Sequence, residues 1–334
     1  MAVPVWWRRL DRLAVVYFWA VTLCSALVGL VVTLPENYKA YGPSQLLLRY
    51  VIFVYVVLNV LGNYVQCVRY QSVVPPLELP LPLPRDWKHC MFCQSSTLGA
   101  CTQLNLSRSH MCSTSHSVEH GTCSYLNGLM STALKRLTNM LNILTICAWP
   151  AYVPPRARHC ATCSACILRR ERHCALTACC VGHRNLRFAV GLSLHALAAS
   201  LYSLLLSLGY LVERDGPLNL RALPGYVWPA AVWRYANGWE STTDLVVCVL
   251  ANVHAMHCVV CAPALAFQLV LASDGQTAHE AQVGVNTYDL GCLDNLHQVF
   301  GQNLILPFLF PLAAPICGDG IEWRLRRKDN SLVC

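Results

Sequence analysis

At 334 residues, 55% of them hydrophobic and only 13% charged, with mean hydropathy +0.41, the chain is too apolar for an ordinary soluble protein and points to a membrane class. A formal charge of +8 could serve nucleic acid, but the Lys and Arg sit between apolar runs, which favours the lipid bilayer as the partner and argues against nucleic acid.

Trp6, Trp7, Arg8, Arg9 and Arg12 precede an apolar run over 13–34, enough to cross a hydrocarbon core of about 30 Å at about 1.5 Å per residue. A signal h-region is shorter and ends at small residues, so this run reads as a retained first transmembrane helix. Residues 35–44 read as a short polar turn, and 46–68 as a second span in which Arg49 snorkels and Asn59 and Asn63 share a face suited to helix contacts. Residues 70–87 carry Pro75, Pro76, Pro80, Pro82 and Pro84 and read as an extended link. Two further spans are expected over 188–212 and 245–271. The last carries His254 and His257 on one face, read as packing or interhelical hydrogen bonding rather than a buried metal pair. Residues 303–317, broken by Pro307, Pro311 and Pro315, read as a membrane-surface or docked segment.

Between the second and third spans, residues 154–188 concentrate Cys160, Cys163, Cys166, Cys174, Cys179 and Cys180 with His159 and His173. Upstream, Cys90 and Cys93 form another Cys-x2-Cys bracket. Two residues between thiolates let both reach one metal, so this density of soft ligands reads as zinc binding rather than packing.

The stretch resembles the cysteine-rich domain of the DHHC protein S-acyltransferases, or palmitoyltransferases. The matching residues are Cys90, Cys93, His159, Cys160, Cys163 and Cys166, then Glu171-Arg172-His173-Cys174, then Cys180-Val181-Gly182 and Asn185. Downstream, Thr277-Ala278-His279-Glu280 is similar to the family's Thr-Thr-x-Glu motif with the second Thr lost. Tyr288-Asp289-Leu290-Gly291 with Asn295, Leu296, Phe300 and Gly301 looks like its aromatic-to-Asn motif. A helix cap and a turn describe the local physics of these two stretches equally well.

The resemblance implies a fold: a polytopic α-helical membrane protein of four transmembrane helices, with a small cytosolic two-zinc cysteine-rich domain between helices 2 and 3. It implies one zinc on Cys90, Cys93, His159 and Cys166 and another on Cys160, Cys163, His173 and Cys180, both structural. Cys179 could stand in for its neighbour, but the family's spacing from Cys174 selects Cys180. Cys174 is left as the expected nucleophile, with Arg169, Arg170 and Arg172 near in sequence, and positive neighbours depress a thiol's pKa. By resemblance it takes a fatty acyl chain from palmitoyl-CoA or a similar acyl-CoA and passes it to cysteines of membrane-associated proteins, the tail lying among the spans.

At the motif itself the chain departs from the family. Arg172 stands where the histidine base is expected, and a guanidinium cannot take a proton at physiological pH. Glu171 keeps a carboxylate, read as a partner for an arginine, and Ala175-Leu176 replaces Pro-Trp. Three readings follow: a working S-acyltransferase; a catalytically impaired pseudoenzyme acting as an acyl-chain or protein-binding membrane scaffold; and a membrane-bound zinc module of another kind, for which a spare Cys174 has no use.

The spacer after Cys93 far exceeds the family's, so 96–153 reads as an insert holding a weak amphipathic helix over 137–152. A translated intron would account for it, and a transcript encoding it whole would exclude that. The domain layout is then 1–69, 70–187, 188–272 and 273–334: helices 1–2, the link and zinc domain, helices 3–4, and a C-terminal region. About half of the 25 Lys and Arg lie between the second and third spans, and both ends are basic, which sets the zinc domain and both termini in the cytosol. Cytosolic thiols stay reduced and the sequon Asn105-Leu106-Ser107 stays unglycosylated. Golgi or endoplasmic reticulum is the compartment the resemblance implies.

Overall fold

The computed structural model describes residues 5–75, 86–93, 152–217, 219, 222–312 and 315–326. Most of the Pro-rich link, nearly all of the insert with its amphipathic helix, and the basic Arg327 and Lys328 lie outside the described residues. Among the described residues, four helices are long and apolar enough to cross a membrane, and the Cys/His-rich segment lies between the second and third of them in sequence: this is a multi-pass membrane protein.

The first span begins earlier and ends later than its hydropathy indicates. Helix α1 (Val5–Val28) passes through a π-helical turn, Gly29–Thr33, into α2 (Leu34–Tyr38). The polar turn expected over 35–44 is therefore a correction: its first part is helical. Pro35 falls in the first turn of α2, where its missing N–H is not needed, and the wide turn before it absorbs the strain. At Gly29 a Cβ would collide with the Phe53 ring, so glycine lets the π turn meet the next span.

Helix α3 (Pro43–Arg69) is the second span. Asn59 and Asn63 donate to the carbonyls of Tyr55 and Asn59, one turn back, at 3.0 and 2.9 Å. Asn63 is fully buried, and a Cβ on Gly191 would strike its amide, so a small residue permits close approach of the next span. That span, α4 (Leu186–Asp215), is 30 residues, about 45 Å at 1.5 Å per residue.

Between the third and fourth spans lies α5 (Trp228–Ala236), which hydropathy alone did not indicate. A charge cluster ties it down. Arg234 reaches Asp215 (3.3 Å) and Glu240 (3.2 Å), while Arg214 reaches Glu240 (3.3 Å) and Asp244 (3.6 Å). The fourth span, α6 (Thr242–Ser273), opens on a capping box between Ser241 and Asp244 and tolerates Pro263 within it, as membrane helices do. Leu13, Val16, Leu58, Leu201, Met256 and Val259 stay half or more exposed on the four spans, the surface a bilayer would cover.

Contacts divide the chain into two units, residues 73–169 and residues 2–72 with 170–334. In the first, strand β1 (Lys88–His89) pairs antiparallel with β2 (Tyr152–Val153), and β3 (Arg158–Cys160) with β4 (Ala165–Ile167). The end of the expected insert thus closes on the strand that leads into Cys90. Val74 donates to the Cys166 carbonyl at 2.9 Å, adding an extended segment to β4.

In the second unit, β5 (Arg172–Cys174) pairs with β6 (Cys179–Val181) ahead of α4. Among the described residues, three short helices follow α6: α7 (Ala278–Val283), α8 (Cys292–Phe300) and α9 (Leu306–Leu309). Val181, Phe188, Val190, Ala272, Val299 and Phe300 form a core that joins the hairpin, two spans and α8. The segment holding α9 docks on α3, where Tyr55 donates to the Leu309 carbonyl (2.7 Å) and Gln66 to that of Pro311 (3.1 Å).

Candidate active site and metal-ligand groups

The β5–β6 hairpin aligns Arg172 with Val181, His173 with Cys180 and Cys174 with Cys179. Its turn runs through Ala178, whose φ of +49° is the left-handed conformation that tight turns demand and non-glycine residues resist. Successive strand residues face opposite ways, so Arg172 and Cys174 share one face and His173 takes the other. Arg172 is exposed, while His173 and Cys174 are half-buried.

Cys174 lines a cavity of about 410 Å³ walled by all four spans, among them Phe18 and Thr22 on α1, Val57 and Val60 on α3, Ala196 and Ala199 on α4, and Val260 and Ala264 on α6. The lining is largely apolar. The two histidines of the fourth span also line it, and both find partners on α1: His254 Nε2 lies 3.0 Å from Ser25 Oγ, and His257 Nε2 lies 2.7 Å from Tyr17 OH. Interhelical hydrogen bonding, as read from their spacing, is what they do.

Glu171 precedes the hairpin and accepts a hydrogen bond from the backbone N–H of Ala278 at 3.0 Å. That N–H is free to do so because it opens α7, whose cap is a reciprocal pair. Thr277 Oγ1 accepts from the Glu280 N–H (3.3 Å), and Glu280 Oε2 accepts from the Thr277 N–H (2.8 Å). The carboxylate therefore sits at a helix N-terminus, a contact that the loss of a hydroxyl at Ala278 leaves intact. Asn295, fully buried, donates to the Ser273 carbonyl and to Asp289, both at 2.8 Å, and fixes the turn after α6.

Among the described residues, cysteine and histidine gather where a metal ion could be held. The first set is Cys90, Cys93, His159 and Cys166, whose ligand atoms lie within 4.8 Å of one another. Cys166 Sγ is 3.3 Å from Cys93 and 3.4 Å from Cys90, and His159 Nδ1 is 3.5 Å from Cys93. Hydrogen bonding from Cys166 outweighs burial and, with Cys90 and His159, holds the Cys93 thiol down to about 5, while the same pairing pushes Cys166 up. The second set, which the resemblance assigns to Cys160, Cys163, His173 and Cys180, includes one close pair on a single hairpin, His173 Nδ1 and Cys180 Sγ at 3.7 Å. Cys179 turns instead toward Thr177 Oγ1 (3.3 Å) and the Cys67 carbonyl (3.8 Å).

Sequence reasoning passed over Asp11. Its Oδ2 lies 3.1 Å from His173 Nε2, with both side chains mostly buried. The signal was available: an acid in the first turns of a membrane helix requires a partner. It also gave Asn185 no physical role. That side chain is fully buried, donates to the carbonyls of Cys67 and Cys180 (both 3.0 Å) and accepts from Gly182 (2.8 Å), tying the end of α3 to the hairpin.

The described residues thus give four candidate membrane spans, a Cys/His-rich segment after the second of them, and Cys174 among the residues that line a cavity between the spans. Residues 142–284 match the family model for the DHHC palmitoyltransferase. It is 36% identical over 176 residues to the probable palmitoyltransferase ZDHHC24 of Homo sapiens, covering 52% of this chain and 61% of the relative. It is 27% identical over 168 residues to the palmitoyltransferase ZDHHC22 of Mus musculus (49% and 62%). To the probable protein S-acyltransferase 16 of Arabidopsis thaliana it is 28% identical over 179 residues (52% and 59%). The chain thus spans about three-fifths of the length of the curated relatives it matches.

Proposed function

We propose that the chain is a protein S-acyltransferase that moves a long acyl chain from an acyl-CoA, through a thioester on Cys174, to cysteines of membrane-associated proteins. The single observation that carries this is Cys174 at a cavity walled by all four spans. Leaving an acyl chain in water costs about 0.8 kcal/mol per methylene, so a nucleophile that handles such chains belongs where the tail is buried.

Each step balances without an added reactant. The Cys174 thiolate attacks the thioester carbonyl, the bond from carbonyl to CoA sulfur breaks, and CoA leaves as a thiolate with the electron pair. A substrate thiolate then attacks the Cys174 thioester, and Cys174 leaves in turn. Arg172 shares a strand face with Cys174 and cannot accept the substrate thiol's proton, so its positive charge favours the thiolates while leaving the second step without a base at that position. Glu171, held by the Ala278 N–H, anchors the start of β5 to α7.

Both metal-ligand groups suit zinc. Around a tetrahedral ion with Zn–S of about 2.3 Å, sulfurs sit about 3.8 Å apart. The 3.3 and 3.4 Å separations in the first group need only slight opening, and three thiolates with one imidazole is a closed, structural set. Cys90, Cys93, His159 and Cys166 would hold one zinc and Cys160, Cys163, His173 and Cys180 the other. Bound there, zinc supplies folding free energy and no reaction step. Charge placement supports a cytosolic face for the metal domain and both ends of the chain, and Golgi or endoplasmic reticulum is the compartment proposed with it.

Filling the cavity tests the central observation. Ala199→Trp should block acylation of Cys174 by palmitoyl-CoA while sparing acylation by a short acyl-CoA. Equal labelling by both chain lengths in this variant would show that the tail lies elsewhere. The opposing reading, a scaffold that binds acyl chains without transferring them, draws on Arg172 and requires that Cys174 take no label at all.

A further inference from the structure

We propose that Asp11 is the outer partner of the metal ligand His173 and, through it, a positioning residue for Cys174; this rests on the zinc reading above. His173 presents Nδ1 toward Cys180 Sγ at 3.7 Å and Nε2 toward Asp11 Oδ2 at 3.1 Å. A neutral imidazole that gives Nδ1 to a metal carries its proton on Nε2, so the bond to Asp11 runs from Nε2–H to the carboxylate. That is the carboxylate–histidine–metal arrangement, in which the outer carboxylate fixes the ring's orientation and tautomer and raises its basicity.

Burial makes this more than a surface ion pair. Asp11 is 8% exposed near the start of a membrane helix, where an unpaired carboxylate is costly, and the imidazole is the partner that offsets the cost. Asp11 also lies on the working face of α1. Phe18, Thr22 and Ser25 follow it at intervals of seven, four and three, a helical stripe, and all three line the cavity. One helix therefore supplies a wall of the cavity and a restraint on the strand that carries the nucleophile. Because His173 and Cys174 are consecutive on β5, a His173 ring locked on one face sets the direction of the Cys174 thiol on the other.

The test uses the full chain in detergent, with zinc counted by atomic emission and its release timed with a chromogenic chelator. The wild type should hold two ions. In Asp11→Ala, one of the two should leave about 10- to 100-fold faster, the range seen when such outer partners are lost, while the other keeps its wild-type rate. Asp11→Asn keeps an acceptor oxygen and should fall between the two. Labelling of Cys174 by palmitoyl-CoA should follow the same order. Wild-type release from both variants would overturn the role, as would equal acceleration of both ions, which a general loosening of the fold produces. If Asp11→Ala does not fold, Asp11→Asn decides alone: one ion released faster supports the role, and an unchanged rate refutes it. A wild-type chain with fewer than two ions would instead sink the zinc reading and this role with it.

Discussion

The hairpins β3–β4 and β5–β6 are two renderings of one pattern. Arg158-His159-Cys160 and Arg172-His173-Cys174 open them, and Cys166 and Cys180 sit opposite the two histidines in the same register. Each turn holds a left-handed residue at the same place, Ser164 with φ of +53° and Ala178 with φ of +49°. Yet the third residue differs in surroundings. Cys160 is 2% exposed and is proposed as a zinc ligand, whereas Cys174 is half-buried, is assigned to neither zinc and lines the cavity. The histidines differ as well: His159 stacks on Phe92, with ring centroids 5.1 Å apart, while His173 faces Asp11. Cys174 thus stands at the ligand-type position of its hairpin but faces the cavity among the spans, the placement that the proposed nucleophile requires.

The sharpest break of this comparison is to remove each third-position cysteine. Cys174→Ala should abolish acyl-enzyme formation while keeping both zinc ions, and Cys160→Ala should lose zinc along with activity. Zinc counts taken beside labelling separate the two, and equal zinc loss in both variants would erase the distinction between hairpins. Stripping metal from the wild type with a strong chelator should cost the first unit its cooperative unfolding, because its ligands hold short strands with little apolar core; circular dichroism melts report this.

Restoring a base is the next largest effect. Arg172→His should raise transfer to a peptide thiol by about a hundred- to ten-thousand-fold while changing self-acylation much less, since CoA needs no proton to leave. Stopped single-turnover assays with each step isolated check this, and a gain confined to self-acylation would contradict it. Glu171→Ala removes the acceptor for the Ala278 N–H and should cost about 1.5–3 kcal/mol, read as a lower thermal midpoint, with Glu171→Gln milder. Smallest is Ala178→Gly. Relief of a left-handed alanine, about 1–2 kcal/mol, is partly offset by glycine's entropy of about 0.5–1, so a stabilisation of no more than about 1.5 kcal/mol is expected.

The four spans were legible because hydropathy over some twenty residues is a strong signal, and their observed limits run a few residues beyond the apolar runs. The Cys-x2-Cys brackets were legible because their spacing is local, whereas Cys90 and Cys93 reach His159 and Cys166 across more than sixty residues and were grouped with them by the family resemblance. What sequence did not disclose is long-range. Nothing near Pro35 announces a π turn, since its fit depends on Gly29 meeting Phe53. Helix α5 is short, and Asp215 at the end of α4 and Glu240 in the loop before α6 hold its Arg234. The contact of Glu171 with Ala278 is made by a backbone N–H and leaves no trace in side-chain chemistry. Asp11 and His173 stand 162 positions apart, so only the fold brings them together.

Acyl-enzyme formation tests the central claim most directly. Purified chain is mixed with a clickable palmitoyl-CoA analogue for a single turnover, and the adduct is mapped by mass spectrometry with and without hydroxylamine. The account predicts one hydroxylamine-labile acyl group on Cys174, absent from Cys174→Ala. Label on another cysteine, or none in the wild type alongside label in Arg172→His, would contradict it and leave a binding scaffold with a disarmed site.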